Sequence, residues 1–165
     1  MFHQLLLAID DSPATPVSVS FATALAREYS ASVHVVHVNQ YQLGGRGVTL
    51  LTEAEATQLV DSAVQDLRAA GVAASGSVVR GTCFDVASRI VESAQAWSAR
   101  TIILGSRGHH RRFANWRGPG VRQQVMRRST IPVVSAPAPL KVSGRPRLGV
   151  GALARELDGG STVTR

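Results

Sequence analysis

A stretch rich in glycine and arginine, residues 105–120, reads GSRGHHRRFANWRGPG and has the residue types of an anion-binding loop. Gly105 and Gly108 allow a ligand to approach the backbone closely, so that main-chain N–H groups can face phosphate oxygens. A short helix is predicted from about residue 121, and the positive end of a helix favours an anion as well. Together these features predict phosphate binding, for which glycine spacing alone would be weak evidence.

Positive charge is concentrated in the same part of the chain. The net charge of the 165 residues is +7 at neutral pH. Residues 1–106 carry a net charge of −3, residues 107–128 carry seven arginines and no acid, and residues 129–165 carry a net charge of +3. A local field of that sign attracts phosphate groups, whether they belong to a nucleotide, a nucleic acid or a lipid surface.

Two acids, Asp10 and Asp11, end the first apolar segment of the sequence. They could hold magnesium or the polar groups of a ligand, or they could stabilise the start of the next helix beside Ser12. The adjacent His109 and His110 have no cysteine or acid nearby, so we interpret them as loop residues and predict no metal site. No catalytic residue is predicted, because the sequence lacks both a G-x-S-x-G elbow and a Gly-Lys-Ser/Thr phosphate loop.

Composition indicates one folded domain, since 44% of the residues are apolar and 165 residues are enough to build a core. No apolar run is long enough to span a bilayer, and the first residues lack the pattern of a signal peptide. We therefore expect a cytoplasmic protein without membrane insertion. Cys83 is the single cysteine, which excludes an internal disulfide, and we expect it to be at least half-buried.

Apolar periodicity predicts an alternation of strands and helices. The predicted strands cover residues 3–10, 31–39, 72–81, 101–106 and 131–136. The predicted helices cover residues 13–30, 52–70, 84–99 and 121–128. The fold class is therefore α/β, a single domain with an open, parallel five-stranded sheet and helices on both faces. This domain spans residues 1–137, and residues 138–165 are predicted to be a basic, flexible tail.

Details of the helix ends and faces are also predicted. Ser12 is expected to cap the first helix with Pro13 at its first position, and Thr52 and Glu55 form a capping box for the second. Gly71 is expected to end that second helix. The inner face of the first helix is predicted from the larger apolar residues, which are Val17, Phe21, Ala24 and Leu25. His34 and His37 are expected to point to opposite faces of the second strand and to pack or form hydrogen bonds there. Trp97, near the end of the third helix, is expected to be a packing residue.

Four segments, in this order, resemble the universal stress protein family of the UspA type over residues 2–137. They read LLLAIDDSPAT, ASVHVVHV, GTCFDVASRIVESAQAWSARTIILGSRG and VMRRSTIPVV. The resemblance implies the sheet order 3-2-1-4-5 and a stress-response regulator, one branch of the family binding ATP. It also implies a homodimer formed through the last strand, which runs from Ile131 to Ala136.

Carried over position by position, the resemblance implies a nucleotide site at the carboxyl ends of strands 1 and 4. Ile9 and Asp10 would lie beside the adenosine, and Val38 would meet the adenine. The remaining residues would contact the ribose and phosphates; they are Gly105, Arg107, Gly108, Gly118, Gly120, Val121 and Arg122. The cofactor implied is ATP with Mg²⁺, and the partner implied is an adenine nucleotide.

The chain departs from the family pattern at the end of this loop. The pattern is Gly, two residues, Gly, nine residues, Gly, then Ser or Thr, and Pro119 stands where the hydroxyl residue belongs. Proline has no backbone N–H, so one phosphate donor is lost together with the hydroxyl. Arg122 could replace both by a bidentate contact to phosphate, or its side chain could fill the site.

Three other interpretations remain open. The chain could be a universal-stress-type interaction module that binds an acidic protein partner and no nucleotide. It could bind nucleic acid through the arginine-rich loop at residues 107–128, where Phe113 and Trp116 lie among the arginines and could stack on bases. It could hydrolyse ATP slowly at most, since the sequence offers no obvious general base.

Overall fold

Five strands and four helices alternate along the residues that this computed structural model describes, which are 3–41, 51–106 and 120–138. The strands are β1 Gln4–Ile9, β2 Ser32–Gln40, β3 Ala74–Gly81, β4 Thr101–Leu104 and β5 Val133–Ser135. The helices are α1 Thr15–Tyr29, α2 Glu53–Ala69, α3 Val86–Ala96 and α4 Val121–Arg128. The predicted tail lies outside the described residues from residue 139 onward.

The strands form one parallel sheet in the order β3-β2-β1-β4-β5, as predicted. Alternate residues of the central strand β1 point to opposite faces, because side chains alternate along a strand. Leu5 and Leu7 pack with α1 and α2, whereas Leu6 packs with α3 and α4. The predicted α/β fold with helices on both faces is therefore confirmed.

Both predicted ends of α2 are confirmed. The Thr52 hydroxyl accepts a hydrogen bond from the Glu55 backbone N–H at 3.2 Å, and the Glu55 carboxylate accepts one from the Thr52 backbone N–H at 2.8 Å. Hydrogen bonds from Thr52 lower the pKa of Glu55, and the bond from the Thr52 backbone has a larger effect than the bond from its hydroxyl. Gly71 follows the helix with φ of +82°, a conformation that glycine adopts without steric cost.

The predicted start of α1 is wrong. Ser12 does not cap the helix, and Pro13 is not its first residue: the helix begins at Thr15 with Ala14 at the N-cap. The preceding residues form a turn instead, in which the Thr15 backbone N–H donates to the Ser12 carbonyl at 3.0 Å and the Ser12 hydroxyl accepts from the Ala14 N–H at 3.3 Å.

The buried side of α1 also differs from the prediction. Its fully buried residues are smaller than expected; they are Ser18, Val19, Ala22 and Ala26. Of the predicted inner residues, Phe21 and Leu25 pack at the border of the core and Ala24 is exposed. Small residues let the helix axis approach the sheet closely, so the larger ones lie at the sides of the contact.

The predictions for two strand ends and for Cys83 are corrected as well. Strands β4 and β5 are shorter than predicted: β4 pairs with β1 only as far as Leu104, and β5 pairs with β4 only from Val133 to Ser135. Cys83 is exposed, since it lies in the turn between β3 and α3 and not in either element.

None of the helices within residues 3–41, 51–106 and 120–138 is long and apolar enough to cross a bilayer.

A buried hydroxyl without a partner offers a test of the core. Thr101 is 0% exposed, and its Oγ1 makes no hydrogen bond within the described part of the chain. We expect Thr101→Val to raise the free energy of unfolding by about 1 kcal/mol, because the branched shape is kept and the desolvated hydroxyl is removed. Thr101→Ser keeps the hydroxyl and loses a methyl group, so it should be destabilising. Urea denaturation of both variants checks the sign, and a less stable valine variant would contradict the interpretation.

Candidate functional site

Strands β1 and β4 bring two predicted site segments together at the carboxyl edge of the sheet. Ala8 pairs with Leu104 near the end of both strands, so Ile9 and Asp10 emerge beside Gly105. The strand order reverses between β1 and β4, since the chain proceeds from β1 to β3 in one direction and to β4 and β5 in the other. Ligands of open α/β sheets bind at such a reversal, so this edge is the candidate site.

The Asp10 carboxylate is only partly used by the protein. Its Oδ1 accepts a hydrogen bond from the Ser12 backbone N–H at 3.2 Å and lies 3.5 Å from the Thr15 hydroxyl. The Thr15 hydroxyl also donates to the Asp10 carbonyl. Its other carboxylate oxygen, Oδ2, has no hydrogen-bond partner among the described residues. Asp10 therefore holds the turn before α1 with one oxygen and can offer the other to a ligand.

Gly105 has a packing reason to be glycine. A Cβ atom at this position would lie 3.3 Å from the Ser18 hydroxyl of α1, which is a tight contact. The next residue, Ser106, has a buried hydroxyl without a hydrogen-bond partner in the described part of the chain. The end of β4 therefore packs closely on α1, and the Ser106 hydroxyl directly after the glycine has no hydrogen-bond partner among the described residues.

The end of β2 is tied to its neighbours by two polar side chains. His37 is buried, and its Nδ1 lies 3.0 Å from the Ile9 carbonyl at the end of β1. Asn39 is 1% exposed and donates from Nδ2 to the Leu51 carbonyl at 3.0 Å, while its Oδ1 has no partner among the described residues. Val38, between them, is buried against the opposite face of the sheet. The contact of Asn39 with Leu51 has no local signal, because the two residues are 12 positions apart in the sequence.

Helix α4 begins with three predicted site residues. Gly120 is its N-cap, and no side chain caps the first turn. Val121 packs at the border of the α3–α4 core, whereas Arg122 is exposed and makes no hydrogen bond or ion pair with any described residue. Because α4 connects parallel strands β4 and β5, its first turn lies at the same edge as Asp10 and Gly105. A helix N-terminus and an unpaired guanidinium both favour an anion.

The remaining predicted site residues, Arg107, Gly108 and Gly118, lie outside the described residues, as does Pro119. The candidate site therefore consists of Ile9, Asp10, Val38 and Gly105 at the sheet edge and of the first turn of α4. Within residues 3–41, 51–106 and 120–138, no group of three histidine, cysteine or acidic side chains could hold a metal ion. Asp10 is the predicted site residue that could contribute a single carboxylate.

A cluster of side chains around His34, which the sequence did not predict, lies away from this edge. His34 Nδ1 lies 2.8 Å from the Ser75 hydroxyl and Nε2 lies 2.9 Å from the Ser77 hydroxyl. Its ring stacks on Trp97 with 5.4 Å between ring centroids. His34 and His37 thus point to opposite faces of β2, as predicted, and Trp97 packs as predicted. The two serines could not be assigned to His34 from sequence, because more than 40 residues separate them from it.

The cluster predicts a pH dependence of stability. Burial lowers the pKa of His34 from its ordinary value of 6.5, so the unfolded chain binds the proton more readily than the folded one. The free energy that the neutral ring contributes is fully present above pH 6.5 and is lost as the pH falls towards the lowered value. His34→Gln should show a smaller loss between pH 7.5 and about pH 5 in urea denaturation. An equal loss of unfolding free energy in the wild type and in His34→Gln would contradict the prediction.

Comparison with known proteins gives a consistent result. The sequence matches the Universal stress protein family over residues 1–137. A universal stress protein family member from Burkholderia pseudomallei has 24% identity and a TM-score of 0.66, over 83% of this chain and 97% of that one. The Archaeoglobus fulgidus universal stress protein in complex with dAMP has 24% identity and a TM-score of 0.60, over 82% of this chain and 98% of that one.

A universal stress protein in complex with cAMP has 19% identity and a TM-score of 0.60, over 81% of this chain and 95% of that one. At these identities the likeness to solved structures shows the fold. No curated protein sequence matches the chain. The family match over residues 1–137 covers every strand and helix described above. The strand order of the sheet is the one that the resemblance implied. The chain belongs to the Universal stress protein family.

Proposed function

We propose that the protein is a stress-response regulator that binds ATP or a related adenine nucleotide at the carboxyl ends of β1 and β4. The observation that carries the proposal is the half-used carboxylate of Asp10 at the point where the strand order reverses. A carboxylate oxygen suits a ribose hydroxyl, which donates a charge-assisted hydrogen bond. Two relatives of the same fold are described in complex with dAMP and cAMP, and an adenine nucleotide is the ligand class that they share.

The phosphates are proposed to lie at the start of α4. Arg122 is exposed and unpaired among the described residues, and the first turn of the helix has no side-chain cap. A guanidinium can bind two phosphate oxygens at once, which would replace the backbone donor and the hydroxyl that Pro119 does not provide. Arg107 is proposed as the second phosphate contact. Mg²⁺ is proposed to be held by phosphate oxygens and water, because the free carboxylate oxygen of Asp10 is assigned to the ribose.

The remaining features of the proposal follow the family. We propose a homodimer formed through β5, whose outer edge has no strand beside it among the described residues. We propose a cytoplasmic location and a regulatory role, with ATP hydrolysis slow at most. In this proposal the bound nucleotide acts as a signal by changing the surface that binds partner proteins.

Calorimetry with ATP·Mg²⁺ and with adenosine tests the phosphate assignment. Arg122→Gln should weaken ATP binding about tenfold and leave adenosine binding unchanged, because only ATP carries the phosphates. Arg27→Gln is the matched control: it removes the same charge from an exposed site on α1 and should change neither affinity. Wild-type protein that gives no heat and no thermal shift with millimolar ATP would overturn the proposed function.

A further inference from the structure

Charge is distributed unequally between the two faces of the sheet. On one face, α1 and α2 carry two arginines against five acids, a net charge of −3. On the other face, α3 and α4 carry four arginines against one acid, a net charge of +3. All of these charged residues are exposed. The described part of the protein therefore has an acidic face and a basic face, with the sheet between them.

The acids near α3 do not neutralise the arginines of α4. Arg89 pairs with Asp85 at 3.9 Å and with Glu92 at 3.1 Å, so both carboxylates already have a partner within α3 and its N-cap. Arg127 makes no hydrogen bond or ion pair with a described residue. Arg128 donates to the Ser88 hydroxyl, a neutral partner that leaves its charge uncompensated. Arg127 and Arg128 point in directions about 100° apart around the helix, with Arg128 directed towards α3, and both side chains are exposed. We call the surface that these two guanidinium groups form the outer face of α4, and it carries two uncompensated positive charges.

The chemistry of this face fits phosphate better than it fits an acidic protein or a lipid surface. All but one of the 18 basic residues of the chain are arginine, whose planar guanidinium matches a phosphate group. The centres of protein interfaces are poor in charge and rich in aromatic rings, and α4 contains no aromatic residue. A helix that lies in a membrane surface needs a broad apolar face, and Met126 is the one large apolar side chain that α4 exposes.

We propose that the outer face of α4 binds the phosphate backbone of a nucleic acid without reading its base sequence, and that Arg127 and Arg128 make the central contacts. The helix has 8 residues and is therefore about 12 Å long, which corresponds to about three phosphates along one strand of a duplex. The acidic face formed by α1 and α2 repels the same polyanion, so only one side of the protein binds it. Arg127 and Arg128 lie in the last turn, about two turns from Gly120, and this surface is therefore separate from the proposed nucleotide site.

The experiment measures fluorescence anisotropy of a labelled DNA duplex of about 20 base pairs with the full-length protein, at salt concentrations between about 50 and 200 mM. Affinity should fall steeply with salt and should be the same for two unrelated base sequences. Arg127→Gln/Arg128→Gln should weaken binding at least tenfold and reduce the slope of log K against log[salt] by about two. The matched control, Arg27→Gln/Arg68→Gln, removes the same charge from the acidic face and should change affinity less than threefold.

Several results would overturn the proposal. They are absence of binding at low salt, equal weakening by the two double variants, and tighter binding to phosphatidylserine vesicles than to DNA. Thermal unfolding first establishes that each variant is folded. If Arg127→Gln/Arg128→Gln is not, Arg127→Gln alone replaces it, since Arg127 has no described contact to lose, and the expected change in slope becomes about one. ATP calorimetry on the same variants should be unchanged, so failure of this proposal and failure of the proposed function are distinguishable.

Discussion

Gly76→Val should lower the free energy of unfolding by about 3 kcal/mol, because α2 packs directly on the backbone of β3 at this residue. A Cβ atom at Gly76 would overlap Val60 Cγ1 and would lie 3.0 Å from Val64 Cγ2 and 3.3 Å from the Val35 carbonyl oxygen. Valine side chains in a helix have one strongly preferred rotamer, so Val60 and Val64 cannot turn away. The helix must move away from the sheet, which weakens the contacts of all the residues that α2 buries.

Urea denaturation measures this effect, and a double-mutant cycle identifies its cause. Gly76→Ala alone should be destabilising by 1 to 2 kcal/mol or so, and Val60→Ala alone by a similar amount through the cavity it leaves. The double variant Gly76→Ala/Val60→Ala should be less destabilised than the two single effects predict, because the new methyl group occupies space that Val60 vacated. Strictly additive effects would mean that the cost at Gly76 arises from the backbone and not from the packing of α2.

The regular elements could be predicted because their signals are local. The capping box of Thr52 and Glu55 and the glycine at position 71 are read within a few residues, and both proved right. Alternation of apolar strands and amphipathic helices fixes a parallel sheet covered on both faces. The strand order is a different matter: nothing in the local pattern distinguishes 3-2-1-4-5 from another order, and the prediction came from the resemblance to a family.

The buried face of α1 could not be predicted from the size of its apolar residues, because packing against the sheet decides which residues are buried. The first helix buries Ser18, Ala22 and Ala26, whereas the larger Phe21 lies at the border of the contact. A periodic pattern shows which residues are apolar, and several stripes of α1 are apolar enough to be buried. Which stripe faces the sheet depends on how closely the helix approaches, and that is decided by residues of β1 and β4 that are distant in sequence.

The candidate site was predictable in position and less so in detail. Asp10 and Gly105 could be placed together because each follows a strand and the ends of parallel strands share one edge. The contact between Gly105 and Ser18 could not be predicted, since it depends on the depth at which α1 packs. The same holds for Asn39 and Leu51, which are 12 positions apart in the sequence, and for His34 with its serines on β3. Long-range side-chain contacts have no signature in a single sequence.

Asp10→Asn should weaken the binding of adenine nucleotides about tenfold, the difference between a charge-assisted and a neutral hydrogen bond. The substitution keeps the shape of the side chain and an oxygen that can accept from the Ser12 N–H, so the turn before α1 is preserved. It replaces the unpartnered carboxylate oxygen, Oδ2, with an NH₂ group and removes the negative charge. Calorimetry with ATP and with adenosine, together with the thermal unfolding of the free protein, measures the two roles of Asp10 separately.

The direction of the change identifies which part of the nucleotide faces Asp10. If the carboxylate binds the ribose, ATP and adenosine should lose the same factor, because both carry the same hydroxyl groups. If the carboxylate lies instead beside the phosphates, loss of its negative charge should strengthen ATP binding and leave adenosine unaffected, which would contradict the assignment. Asp10→Ala removes the turn contacts as well, so this variant should unfold at a lower temperature, whereas Asp10→Asn should not. A ligand role for Asp10 therefore requires weaker binding of both ligands by a variant whose stability is unchanged.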